Sequence, residues 1–177
     1  AALSPEGQLL LEYAALCCNG AVTFPNGEDA PALPIGDPTE TSILLAAHKT
    51  GRGKEILNRE YPRLLELPFD SDRKRMTTVN RTGETLTVIV KGAFDGIAGL
   101  CVAGDLAAAG KMVEAMSRQA LRVLAVAVKT IPALPESPDM EELESGLTLL
   151  GLVGMIDPPR PEAKAAVSVC RRAGIRP

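Results

Sequence analysis

Apolar positions recur along this chain with two different periods, and the change between them separates a helical opening from a strand-rich middle. Leu9, Leu10, Tyr13, Ala14 and Cys17 follow Ser4-Pro5 at helical spacing, which predicts a capped helix ending near Asn19-Gly20. Between 20 and 36 the periodicity lapses. Pro25, Asn26, Gly27, Pro31, Pro34 and Gly36 occupy that stretch and predict a loop. A second helix opens at Asp37-Pro38-Thr39-Glu40, where Asp37 can cap, Pro38 suits the first helical position and Glu40 completes a capping-box-like pattern. It is expected to run to about Thr50-Gly51.

From Leu64 the period shortens to two, with Leu65, Leu67 and Phe69 alternating against Glu66, Pro68 and Asp70 as in a half-buried strand. Met76 to Asn80 and Leu86 to Val90 flank the polar connection Asn80-Arg81-Thr82-Gly83-Glu84, a pattern for two strands joined by a longer hairpin loop. Gly92 to Leu100 and Leu106 to Gln119 read as helices, and the β-branched run Val123 to Val128 as a buried strand. Residues 131–145 predict a proline-rich loop with a short acidic helix, and Leu147 to Ile156 another buried strand. Hairpin-joined strands with helices grouped before and between them predict an α+β fold, a mainly antiparallel sheet flanked by helices. Asp157-Pro158-Pro159-Arg160-Pro161 can continue neither a ladder nor a helix interior. It is expected to be a hinge that separates a domain of residues 1–156 from a segment of residues 157–177. Within that segment, Glu162 to Gly174 read as an amphipathic helix with Ala163, Ala166, Val167 and Cys170 on one face, whose partner surface is expected outside this chain.

Composition narrows the function classes. With 46% hydrophobic and 23% charged residues in 177, the chain has the profile of one globular domain. A formal net charge of -3 without a Lys/Arg run argues against nucleic acid as a partner. The apolar run Leu147 to Ile156 is about half of the roughly 20 residues a spanning helix requires. No direct membrane contact is expected. Ala1-Ala2-Leu3-Ser4-Pro5-Glu6 lacks the basic and apolar regions of a secretory signal and is expected to be a cut edge or a cytosolic start. Cys17, Cys18, Cys101 and Cys170 have no C-x-x-C spacing and are expected to be reduced thiols. With His48 the only histidine, chemistry that needs a His pair or a His-rich metal site has little to work with.

Neither G-x-x-x-x-G-K-[ST] nor G-x-G-x-x-G occurs, so a bound nucleotide must be held without a glycine phosphate loop. The remaining candidates are the aromatic Phe69, the polar cluster Asp70-Ser71-Asp72-Arg73-Lys74-Arg75 that follows it, Lys91-Gly92-Ala93 and Leu121-Arg122-Val123-Leu124. Taken singly each has a plainer reading. Phe69 reads as core, the charge run as a solvated face, Glu40 as a helix cap and Arg122 as an ion-pair partner.

Taken in order they are more specific. Asp37-Pro38-Thr39-Glu40, Phe69 through Met76, Lys91-Gly92-Ala93, Leu121 through Ala125 and Gly154-Met155-Ile156-Asp157-Pro158-Pro159-Arg160 together resemble the nucleotide-binding domain of type II P-type ATPases, especially bacterial relatives of calcium pumps. The resemblance covers nearly the whole chain. It implies that Phe69 stacks on adenine, that Glu40 accepts a hydrogen bond from the adenine amino group, and that Thr39 lies beside it. Lys91 is then deep in the pocket, Gly92 and Ala93 form a wall where a larger side chain would crowd the base, Lys74 and Arg122 face sugar and phosphates, and Leu124 belongs to the same set. The implied ligand is ATP, with Mg²⁺ in the full-length pump, and the implied partners are the phosphorylation and actuator domains of that pump. Asp157, Pro158, Pro159 and Arg160 resemble its returning hinge strand. The expected location is a cytoplasmic domain of an integral membrane protein in a bacterial plasma membrane, with calcium the favoured cargo.

Two departures stand out. The family commonly reads Lys-Gly-Ala-Pro-Glu where this chain has Lys91-Gly92-Ala93-Phe94-Asp95, and Ser71 stands where some calcium pumps carry a basic residue. The family's Asp-Lys-Thr-Gly-Thr phosphorylation motif is absent, and His48-Lys49-Thr50-Gly51 only resembles it superficially. No catalytic residue and no metal ligand is therefore assigned, and the chain is expected to bind nucleotide without hydrolysing it. The alternative is a stand-alone, non-catalytic adenine-nucleotide-sensing or interaction domain.

Overall fold

A computed structural model of the chain describes residues 3–25, 31–157 and 161–176. The first helix, α1 (Pro5–Leu16), is capped by Ser4, whose hydroxyl accepts the Gly7 amide at 3.1 Å. The region read as loop contains two short strands, β1 (Ala21–Thr23) and β2 (Leu33–Ile35), paired antiparallel in a sheet of their own. Three residues are too few for a periodic signal, and their pairing is visible only in space. α2 (Pro38–Lys49) begins at Asp37, which accepts the Thr39 amide at 2.7 Å as its cap. A third helix, α3 (Lys54–Glu60), was not anticipated.

The main sheet is built from β3 (Arg63–Asp70), β4 (Arg75–Thr82), β5 (Thr85–Gly92), β6 (Cys101–Ala103), β7 (Arg122–Ile131) and β8 (Leu147–Met155). Their spatial order is β3-β4-β5-β7-β8-β6, antiparallel at every step except the short parallel pairing of β6 with β8. The expectation of an α+β fold with a mainly antiparallel sheet is borne out. The β4–β5 connection is tighter than its composition suggested, because Thr82 still pairs with Thr85 and only Gly83-Glu84 turn the chain. Gly83 supplies the positive φ (70°) that such a turn needs. The remaining helices are α4 (Phe94–Ile97), which a single 3₁₀ turn extends, α5 (Leu106–Arg118), α6 (Met140–Leu143) and α7 (Pro161–Arg172).

Helices cover both faces of the sheet, which explains why β5 is buried over nearly its whole length. Side chains alternate between two cores. Ile89 and Val126 pack with Leu16, Ile43, Leu44 and Leu57 from α1, α2 and α3, whereas Val88, Val90, Ala125 and Ala127 pack with Ile97, Leu143 and Leu147 on the opposite face. Each fully buried Leu or Ile adds about 1.5 to 3 kcal/mol of transfer free energy, so the two cores fix the strand order and hold the sheet rigid under the site. β3 lies at one edge of the sheet, with register shifts on either side of Leu65–Leu67 and Pro68 in its second half.

Of the predicted hinge, Asp157 is exposed, and Pro158, Pro159 and Arg160 lie outside the described residues. α7 follows them. Its predicted apolar face is largely open, with Ala163 and Ala166 exposed and Val167 and Cys170 only half-buried.

Candidate functional site: a cleft at the end of the sheet

A cleft of about 680 Å³ opens where the N-terminal turn of α2, the β3–β4 turn, the end of β5 and the start of β7 converge. All nine residues singled out from the sequence line it: Thr39 and Glu40 from α2, Phe69 and Lys74 beside the β3–β4 turn, Lys91, Gly92 and Ala93 at the end of β5, and Arg122 and Leu124 at the start of β7. Asn19, Asp37, Met76 and Val123 line it too and were not singled out. In the sequence Asp37 reads as a helix cap at the start of one motif and Met76 as the start of a strand at the end of another, and nothing there distinguishes Asn19 from other loop residues.

The floor is polar and closely held. Lys91 alternates with Ile89 and so points into the face that α1 and α2 cover, where it is only 5% exposed. Its ammonium donates to Glu40 Oε1 and to the Cys18 sulfur, each at 3.0 Å. The other oxygen of Glu40 accepts the Asn19 amide at 2.7 Å and the Gly20 amide at 2.9 Å. The capping box is thus only half formed: Asp37 caps α2, while Glu40 turns away to tie the α1–β1 connection to the cleft floor. Burial alone would raise the Glu40 carboxyl, but the Lys91 charge and the two amides outweigh it and hold the group below its ordinary value. Burial alone would likewise depress Lys91, but the Cys18 and Cys17 sulfurs, which carry charge only at high pH, and the Glu40 carboxylate hold it above its ordinary value. Burial pushes the Cys17 thiol up to about 12 and the Cys18 thiol up as well, so at neutral pH Glu40 supplies the negative charge.

The rim is cationic and aromatic. Phe69 is 64% exposed, so an edge-strand aromatic that alternation would assign to a core stands in the open. Arg122 donates to the Thr39 hydroxyl at 2.6 Å and joins the β7 and α2 sides of the cleft. Lys74, also exposed, pairs with Asp95 at 2.7 Å. It follows a compact turn in which Asp70 accepts the Lys74 amide at its carbonyl (2.7 Å) and the Asp72 and Arg73 amides at its carboxylate (2.9 Å each).

Gly92 lines the cleft and is under a further constraint that the sequence does not show. A Cβ there would overlap the Lys74 carbonyl oxygen and would lie 2.7 Å from Arg75 Cα and Cβ. The glycine is required by the close approach of β5 to the β3–β4 turn, which the Ala93 amide seals with a 3.0 Å hydrogen bond to that carbonyl.

The arrangement can grip a flat, amino-bearing, polyanionic ligand. It offers a ring face, a carboxylate with acceptor capacity beyond its three donors, and two cations at the mouth. Among the described residues, no three His, Cys, Asp or Glu side chains are gathered to hold a metal ion.

Comparison with known proteins agrees with the geometry. The family model for the P-type ATPase cytoplasmic domain N matches residues 8–162. A cation-transporting ATPase, pma1, of Synechocystis is 39% identical over 170 residues, 90% of this chain and 18% of that protein. Calcium-transporting ATPase 1 of Bacillus cereus is 38% identical over 183 residues, 96% of this chain and 19% of its own length. The calcium-transporting ATPase of Bacillus subtilis is 40% identical over 185 residues, 97% of this chain and 20% of its own length. This chain therefore spans about a fifth of the curated relatives it matches.

Proposed function

The chain belongs to the P-type ATPase cytoplasmic N-domain family, and from that premise we propose that its cleft is an adenine-nucleotide site that serves a cation-transporting pump. The observation that carries the proposal is the exposed Phe69 ring standing over the same cleft whose floor holds Lys91 and Glu40. Phe69 stacks on adenine, a contact of roughly 1 to 3 kcal/mol per base. Glu40 accepts from the amino group with its remaining lone pair, and Lys91 keeps that carboxylate ionised. Thr39, Gly92, Ala93 and Leu124 shape the walls. Lys74 and Arg122 exchange their present partners, Asp95 and Thr39, for the phosphates.

In the whole pump, ATP is the ligand, and hydrolysis needs the phosphorylation motif that this sequence lacks. Mg²⁺ has no ligand cluster among the described residues and would arrive on the phosphates. Residues 1–156 form the nucleotide domain, and Asp157 to Arg160 the return towards the phosphorylation domain, which with the actuator domain is its intramolecular partner. The open apolar face of α7 supports that boundary. The names of two relatives favour calcium as the cargo, and the parent protein then lies in the plasma membrane with this domain in the cytoplasm.

Without a phosphate loop, the affinity of the chain for ATP is expected to be weak, with a Kd of roughly 0.1 to several mM. NMR titration should move the amides around Phe69, Lys74 and Lys91. Phe69→Ala should weaken ATP and ADP by the same factor, whereas Arg122→Ala should act mainly through the phosphates. Unchanged ATP affinity in the Phe69 variant would overturn the proposal.

A further inference from the structure

Glu144, between α6 and β8, lines no part of the cleft and is only 2% exposed. It accepts from three side chains: Arg73 Nη1 at 2.6 Å and the Thr77 hydroxyl at 2.6 Å on one oxygen, and Arg75 Nε at 2.7 Å on the other. A carboxylate so buried is tolerated only because it is paired and hydrogen-bonded, and here two guanidiniums share it. The same guanidiniums also hold backbone. Arg73 Nη2 donates to the Pro68 carbonyl at 3.0 Å, and Arg75 Nη1 donates to the carbonyls of Arg73 and Gly96 at 3.1 and 3.2 Å.

These contacts enclose the β3–β4 turn. Pro68 directly precedes Phe69, Arg73 and Arg75 flank Lys74, and Gly96 follows Asp95, the partner of Lys74. Lys74 itself adopts a left-handed φ of 55°, a conformation that lysine holds only under constraint from its surroundings. The two arginines of the charged run that follows Phe69 are thus engaged inside the protein, leaving Lys74 and Arg122 at the mouth.

We propose that Glu144 is a positioning residue for the nucleotide cleft: through Arg73 and Arg75 it sets the turn from which Phe69 and Lys74 meet the ligand. The inference rests on the nucleotide reading above. It assigns to the α6–β8 connection, on the far side of the sheet from α1 and α2, a part in ligand affinity that no direct contact would reveal.

The test is a pair of NMR titrations of the 177-residue chain, with ATP and with adenosine. Glu144→Gln keeps the shape and removes the charge that orients both guanidiniums. Its folded form should bind both ligands roughly three- to tenfold more weakly, the size of coupling usual between partners in one network. Both should weaken because Phe69 serves the base in each. Arg73→Lys should act alike, and the double variant should be no weaker than the worse single one. Leu57→Ala, in the other core, should lower stability without changing the affinity of the folded form. If Glu144→Gln does not fold, Arg73→Lys decides alone. Unchanged affinity alongside reduced stability would make Glu144 a stabiliser only, and loss of ATP affinity with adenosine unaltered would put the arginines on the phosphates. Either result overturns the proposal. Failure of the unsubstituted chain to bind either ligand would remove the nucleotide reading itself, a result read before any variant is made.

Discussion

Glu40 and Lys91 form a largely buried ion pair at the floor of the cleft, and their pH dependence follows from the direction of each shift. The Glu40 carboxyl is held below its ordinary 4.5 in the folded chain, so its contribution to stability is present above that value and lost as pH falls through the lowered one. The Lys91 ammonium is held above its ordinary 10.5, so its contribution is present below 10.5 and lost only as pH rises beyond the folded value. Between those limits the pair is constant. Glu40→Gln leaves a cation without its carboxylate and should cost about 2 to 3 kcal/mol at pH 7. Urea unfolding of both proteins should show that difference shrinking as pH falls below 4.5, since protonation removes the same charge from the parent. Glu144 also titrates low but does so in both proteins, so it cancels. A difference that stays constant down to pH 3 would mean that the Glu40 charge does not stabilise the fold. Residues of this kind were legible because their order along the chain is distinctive. Asn19 was not, since what it offers Glu40 is a backbone amide, which every residue but proline has.

Among elements, the long ones were legible and the short ones were not. β4 and β5 declare themselves through eight residues each, and α2 through its cap and first-turn proline. β1, β2 and β6 have three residues apiece and owe their existence to partners elsewhere in the chain. α3 offers only Ile56 and Leu57 as apolar anchors within a charged heptapeptide. Gly92 shows how an element adds a constraint to a residue that its motif places in the cleft wall. Gly92→Ala drives a methyl into backbone that two strands hold in place, and should destabilise by about 3 kcal/mol. Gly99→Ala is the control, because a Cβ there meets nothing within 4 Å and the residue has no positive φ. Thermal denaturation of the two variants would compare them directly. Equal melting temperatures would show that the β5 end can yield, and the explanation given for Gly92 would fail.

At the scale of the molecule, a sheet with two cores supports a site that consists of contributions from five separate segments, none of which has a binding surface of its own. Fold class was legible because alternation and hairpin spacing are local, whereas the cleft depends on which strand ends lie side by side, which the sequence does not print. The same scale bears on chemistry. On the proposed reading the chain grips ATP without the Asp-Lys-Thr-Gly-Thr acceptor motif, so with saturating Mg-ATP it should release phosphate at the buffer rate. Turnover above that rate in a purified sample, lost in Phe69→Ala, would mean that an acceptor exists here.

The weak binding proposed for the cleft would have to be measured at high protein concentration, and the edge strand β3 bears on whether that can be done. An open strand edge is a template on which another chain can continue the ladder, and crowding favours that reaction. Pro68 removes one donor from this edge, and the register shifts on either side of Leu65–Leu67 break its regular spacing. At the opposite edge, β6 is only three residues long. The irregularity that sets Phe69 in the open therefore also guards against aggregation, and restoring a regular strand by Pro68→Thr would trade solubility for a flatter, stickier rim.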